Sequence, residues 1–301
     1  MTASEKLIYR LLILFCTVIG AISLQKSRTL SRLLGRFWYT VDKKHRRVVL
    51  DNLTQAFGRE MTPGQIRELA EKVFYNTVLI VFEYTWFHSS KNRYRSDRIQ
   101  LTGLEHLRKA HQKNKGVLVL TGHMGSWEVL TAVAPITGLP ASVVYKTIES
   151  KPINRFVKEN REKAGIKLYP LHNAFDAVYE ALDRGELVGL LMDQNTSHAR
   201  GVFIDFFGRK ACANPGLVKL AFQTGAAVVP VFNYRQGDKI IIEIQPELPL
   251  IRTGNWQQDI FENTQFHHQV MEDFIRQHPD QWFWVHNRWK NRPFEEMRKG
   301  I

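Results

Sequence analysis

Gly116-Val-Leu-Val-Leu-Thr-Gly-His-Met-Gly-Ser-Trp-Glu128 changes character halfway along its length. Residues 117–120 are a short unbroken apolar run, the pattern of a strand buried on both faces. Gly122 and Gly125 then free the backbone, and Ser126 is a candidate N-cap for a helix entered at Trp127. The stretch reads as strand, loop and helix, with His123 in the loop and Glu128 five positions after it.

The same grammar repeats downstream. Strands are predicted at Val117–Leu120, Ala141–Tyr145, Lys167–Pro170, Leu187–Met192, Ala227–Phe232 and Lys239–Ile244. Helices fit between them at Trp127–Pro135, Ile153–Ala164, Ala174–Arg184 and Gly216–Gln223, with a long one over Gln257–Arg276. Alternation of this kind predicts an α/β fold, a mostly parallel central sheet flanked by helices. Ligands of such sheets bind beyond the carboxyl ends of the strands, where His123 is expected to stand.

Upstream the pattern is helical. Residues 29–57 read as one amphipathic helix, and Thr62-Pro63 opens a second that runs towards residue 87 and is apolar around much of its circumference. Between Arg10 and Lys26 there are fifteen residues without a charge. With Arg10 snorkelling they predict an N-terminal membrane helix, against the alternatives of a signal peptide or a buried core helix. Lys26, Arg28, Arg32, Arg36, Lys43 and Lys44 follow it, while only Lys6 and Arg10 precede it, so the body is expected on the cytoplasmic side. The expected division is an anchor at 1–28 and one domain at 29–301, with a helical lead-in at 29–100 and an α/β catalytic core at 101–301.

The chain carries 42 Lys+Arg against 29 Asp+Glu, a formal charge of +13. Such an excess favours an anionic partner: a membrane surface, a phosphorylated lipid, an acidic carrier protein or nucleic acid. No nucleic-acid motif is present, and the apolar N-terminus counts against that last class. Cys16 and Cys212 have no partners at metal-ligand spacing, and the adjacent His267 and His268 point to different sides of a helix, so no metal site is expected.

A histidine and a carboxylate at a strand–helix junction can form a catalytic dyad. Five helical positions span roughly 140° of rotation, so His123 and Glu128 converge only if the helix begins after the histidine. That arrangement would also set the imidazole over a helix N-terminus able to stabilise an oxyanion.

His-x4-Glu at residues 123–128 resembles the box of glycerolipid-type acyltransferases, and Thr121–Glu128 resembles that of the lipid A biosynthesis lauroyl/myristoyl acyltransferases. The resemblance extends through Arg46 to Phe57, Arg161–Gly165, Gly189–Gln194, Gly201–Arg209, Pro215–Ala226 and Pro279–Lys290, nearly the whole chain. It implies transfer of a fatty acyl group from acyl-carrier protein, or acyl-CoA, to a hydroxyl of a membrane lipid, with no cofactor. In this reading His123 is the general base and Glu128 orients it; no covalent intermediate is needed, though Ser126 could form one. Arg161, Asp193, Gln194 and Arg209 are candidate substrate-binding residues. The implied acceptor is a phosphorylated glycolipid, and the implied location a bacterial inner membrane with the catalytic domain on its cytoplasmic face. Met124-Gly125-Ser126 stands where the family usually has Phe-Gly-Asn, and Ala213 where a hydroxyl is expected. These departures leave the acceptor open: another glycolipid, lysophospholipid or aminolipid, or a non-catalytic lipid-binding role. Trp282, Trp284, Arg288, Trp289 and Lys290 suit either a membrane interface or core packing with a basic rim.

Overall fold

The computed structural model describes residues 1–88, 97–172 and 174–293. Four helices come first: α1 (Ala3–Gly20), α2 (Leu24–Val41), α3 (Lys43–Phe57) and α4 (Pro63–His88). They are followed by β1 (Ile99–Thr102), α5 (Leu104–His111) and β2 (Val117–Thr121), then a 3-10 turn at Trp127–Ala132 that runs into α6 (Val133–Thr137). Next come β3 (Ala141–Tyr145), α7 (Lys151–Lys163), β4 (Ile166–Pro170), α8 (Ala174–Asp183) and β5 (Leu187–Leu191). The chain continues through β6 (Val202–Phe206), β7 (Arg209–Ala213), α9 (Gly216–Thr224), β8 (Ala227–Gln236), β9 (Lys239–Ile244) and α10 (Trp256–Gln277).

Seven strands form one sheet in the order β1-β9-β8-β2-β5-β3-β4. Every neighbouring pair is parallel except β8 and β9. Both faces are covered, which is why the central strands are apolar throughout. Leu118, Leu120, Val188 and Val228 point into a core built with α3, α4, α8, α9 and α10. Val117, Leu187, Ala227 and Val229 point the other way, onto α5 and the turn after β2.

Several expectations are corrected. The helix read over 29–57 is two, because Asp42 leaves helical geometry and its Oδ1 accepts the His45 amide at 3.0 Å, starting α3. Ser23 opens α2 in the same way, so the apolar segment ends at Gly20. No single helix among the described residues is long and apolar enough to cross a membrane; α1 and α2 meet that test only together, bent by 116°. The edge strand β1 was missed because only four residues pair, and it begins inside the stretch assigned to the helical lead-in. The hairpin β6–β7 is not among the predicted strands; Phe207 and Gly208, with φ of 52° and 68°, form its two-residue connection.

Trp282, Trp284 and Trp289 are buried with Arg288 in the core that includes α3 and α4, so these residues pack inside rather than forming a membrane belt.

Candidate active site

Parallel pairing of β2 with β5 sets Thr121 opposite Leu191, and the Met192 amide donates to Thr121 O at 2.9 Å. Two residues further along each chain, at the same height above the sheet, stand His123 and Asp193. His123 Nδ1–H donates to Asp193 Oδ1 at 2.9 Å, and the His123 amide donates to Oδ2 at 2.8 Å. Trp282 Nε1–H donates to the same Oδ2 at 2.8 Å. A buried carboxylate thus fixes the histidine's tautomer and leaves Nε2 as the acceptor, 3.4 Å from the Gln194 amide.

Among the described residues Glu128 is not hydrogen-bonded to His123, although its charge acts on the ring. Its carboxylate holds Arg161 of α7 with two bonds, Nε–Oε2 at 3.1 Å and Nη2–Oε1 at 2.6 Å. The expected His123–Glu128 dyad is therefore replaced by two adjacent pairs, His123–Asp193 and Glu128–Arg161. The reason is geometric: after β2 the chain enters a 3-10 turn, and Glu128 in its first turn meets α7.

The loop carrying His123 is clamped from two sides. Gln281 O accepts the Gly125 amide at 2.9 Å, and His123 O accepts the Phe283 amide at 3.0 Å. From β8, the buried Asn233 accepts the Ser126 amide at 2.7 Å and donates to Met124 O at 3.0 Å. Gly125 has φ +56°, and a Cβ there would lie 2.4 Å from Asn233 Oδ1, so glycine alone fits the clamp. Ser126 is not the side-chain cap expected of it; its Oγ is buried without a partner among the described residues. Trp127 and Phe283 pack their rings against the imidazole, with centroids 5.0 and 6.1 Å away.

Burial opposes protonation of His123, but the charge and hydrogen bond of Asp193 outweigh it and hold its pKa above the ordinary value. Burial would likewise raise Asp193 and Glu128; His123 holds the first well below the carboxylate range, and Arg161 lowers the second.

Two cavities meet here. A cleft of about 850 Å³ is lined by His123, Gln194, Lys146, Lys158 and Arg200 among others. A narrow, mostly apolar cavity of about 80 Å³ lies between the sheet and α6, lined by Val119, Leu130, Ala141, Leu187 and Gly189. Trp127, Glu128, Val143, Arg161 and Leu191 border both. Of the residues singled out from sequence, His123, Glu128, Arg161, Asp193 and Gln194 converge, whereas Arg209 opens β7 and does not line the cleft. Asn233, Trp282 and Phe283 were missed as site residues; their contacts cross 89 to 160 positions of sequence.

Residues 2–291 match the sequence model of a family described as bacterial lipid A biosynthesis acyltransferase. The chain is 24% identical over 246 residues to a lipid A biosynthesis acyltransferase of Haemophilus influenzae, covering 81% of this chain and 75% of the relative. It is 24% identical to the lipid A biosynthesis lauroyltransferase of Escherichia coli, over 86% of this chain and 84% of the relative. A phosphatidylinositol mannoside acyltransferase of Mycolicibacterium smegmatis is 26% identical over 50% of this chain and 51% of its own length.

Proposed function

Because the chain belongs to the bacterial lipid A biosynthesis acyltransferase family, we propose that this acyltransferase moves a fatty acyl group from acyl-carrier protein to a hydroxyl of a lipid A precursor, as a membrane-bound enzyme. The observation that carries the reading is the 2.9 Å bond from His123 Nδ1 to Asp193, which leaves Nε2 free to act as a base at the edge of the cleft.

An alcohol is a weak nucleophile near neutral pH, and Nε2 supplies what it lacks. The hydroxyl proton passes to Nε2 as the oxygen attacks the thioester carbonyl and the new C–O bond forms. Asp193 stabilises the imidazolium. The tetrahedral intermediate collapses, the C–S bond breaks, and the departing thiolate takes the proton back from the imidazolium. Arg161 borders both cavities, and its bonds to Glu128 use Nε and Nη2, which leaves Nη1 as the donor for the carbonyl oxygen as charge develops. Glu128 is then the residue that holds Arg161 in place. No step needs a cofactor or an enzyme nucleophile.

The apolar cavity, at about 80 Å³, takes a few carbons of the acyl chain beside the reacting centre, and the cations of the larger cleft suit acceptor phosphates. The basic chain fits an acidic carrier protein and the cytoplasmic face of a bacterial inner membrane. The similarity to a phosphatidylinositol mannoside acyltransferase favours a second reading, the same chemistry on another glycolipid. Purified full-length protein, acyl-carrier protein charged with a fatty acid, and each acceptor, followed by mass spectrometry, decide between them. Transfer to the lipid A precursor that is lost in His123→Ala supports the first reading; transfer only to another glycolipid replaces it.

A further inference from the structure

Helix α1 lies along the body for its whole length. At its start Arg155 of α7 donates to Met1 Sδ at 3.7 Å; further on Arg155 stacks over the Tyr9 ring, whose hydroxyl bonds Glu159. At its far end Gly20 is buried. A helix held at these points cannot leave the body to cross a bilayer without breaking the contacts.

Its other side is bare. Leu7, Ile8, Leu11, Leu14, Phe15 and Val18 are all about half exposed and fall within roughly 120° of helix circumference. After the 116° bend α2 repeats the arrangement. Ser27, Ser31 and Gly35 face inward, and a Cβ at Gly35 would lie 2.8 Å from Tyr75 Cα of α4, so α2 is seated closely on α4. Leu30, Leu33, Leu34, Phe37 and Val41 face out at helical spacing.

Charge identifies the occupant. Residues 1–41 hold Lys6, Arg10, Lys26, Arg32 and Arg36 against Glu5 as the sole acid, besides Arg28, which pairs with Asp238 of the body. Apolar stripes interspersed with cations match one leaflet of an anionic bilayer, which takes the apolar side chains into its acyl boundary and the cations among its headgroups. The helix that α1 packs on, α7, carries Arg161 of the cleft. A bilayer held by α1 and α2 would therefore lie close to the elements that receive a lipid acceptor.

We propose that α1 and α2 dock the enzyme on a single leaflet of an anionic bilayer, with their outward stripes inserted and neither helix crossing to the far side. The inference extends the reading of a membrane-bound acyltransferase, but its test needs no turnover, so the two fail separately.

Full-length protein is floated with phosphatidylcholine vesicles, with and without phosphatidylglycerol. We expect binding to rise at least tenfold with the anionic lipid, and to fall at least tenfold in Leu11→Asp/Phe15→Asp and in Leu34→Asp/Phe37→Asp. Circular dichroism of these exposed-site variants checks that they are folded, and His123→Ala should bind as wild type does. Topology is read in a Cys16→Ser/Cys212→Ser background carrying Ser4→Cys, labelled with a membrane-impermeant maleimide. We expect labelling in inverted inner-membrane vesicles, on the side of the catalytic cleft. Labelling only from the opposite side overturns the proposal in favour of a span. Vesicle binding unmoved by the aspartates also overturns it, as does a dimer that these substitutions break and that binds no vesicles, which assigns the stripes to a second copy.

Discussion

Asp193 holds His123 by both its ring and its amide, at 2.9 and 2.8 Å, across a gap of seventy residues in sequence. The bond from the ring is the electrostatic centre of the site, because burial alone would push the histidine's pKa down. Asp193→Asn keeps the shape and removes the charge. The proton-transfer step then loses both the correct tautomer and the stabilised imidazolium, and kcat should fall by roughly 10²–10⁴-fold. The pH profile gives an independent reading. A base works when deprotonated, and His123 is raised above its ordinary value, so the acid limb of wild-type kcat/KM lies above the usual imidazole range. In Asp193→Asn the limb should move to lower pH, since burial, the largest influence on the ring, then acts without the opposing charge of Asp193. A limb that stays in place would show that His123 is not the titrating base.

Glu128 and Arg161 should behave as a unit of a different kind. Both are largely buried and doubly bonded, so removing one leaves the other's charge uncompensated. Glu128→Gln and Arg161→Met should each destabilise the fold by about 3–5 kcal/mol, read from urea unfolding. The double variant Glu128→Met/Arg161→Met should recover most of that stability and none of the activity. Recovery of activity would remove Arg161 from the chemistry.

The sheet could be read from sequence because its central strands are buried on both faces, and unbroken runs such as Val117–Leu120 and Leu187–Leu191 declare that burial. His123 was legible for the same reason, as a polar residue placed just beyond such a run. Its partner was not. Glu128 is near in sequence, but nearness along a chain entering a helix is set by rotation, whereas nearness across a parallel sheet is set by register. Asp193 carries the register signal: it follows the end of β5 by the same two residues that separate His123 from the end of β2. Knowing that β2 and β5 are neighbours is what turns this into a contact, and strand order is not written in either run. The clamps from Asn233, Trp282 and Phe283 depend in the same way on distant segments meeting, as does the inward seating of the C-terminal tryptophans.

Asn233 gives a test of positioning without touching substrate. Its side chain satisfies Ser126 N–H and Met124 O, both in the loop that carries His123. Asn233→Ala strands both groups, at a cost of about 1–3 kcal/mol for each left unsatisfied. Folded Asn233→Ala, assayed well below its unfolding temperature, should show a lower kcat with KM nearly unchanged, because the base is displaced while the cleft survives. A rise in KM at constant kcat would place Asn233 in substrate binding instead.

Gly189 tests where the acyl chain goes. In the sheet it lies between Val119 of β2 and Val143 of β3, and all three line the apolar cavity. The missing side chain is a notch in the cavity wall; a Cβ there meets Val143 at 3.5 Å, ordinary contact, so a side chain can start towards the cavity without a clash at its first atom. Gly189→Leu should fill part of the cavity while leaving His123, Asp193 and the cleft as they are. Competition among acyl donors of graded length should then show the longest accepted chain shortened and the shortest donors transferred at nearly the wild-type rate. A uniform loss over all lengths would mean that the chain binds elsewhere and that the cavity is only a packing defect between the sheet and α6.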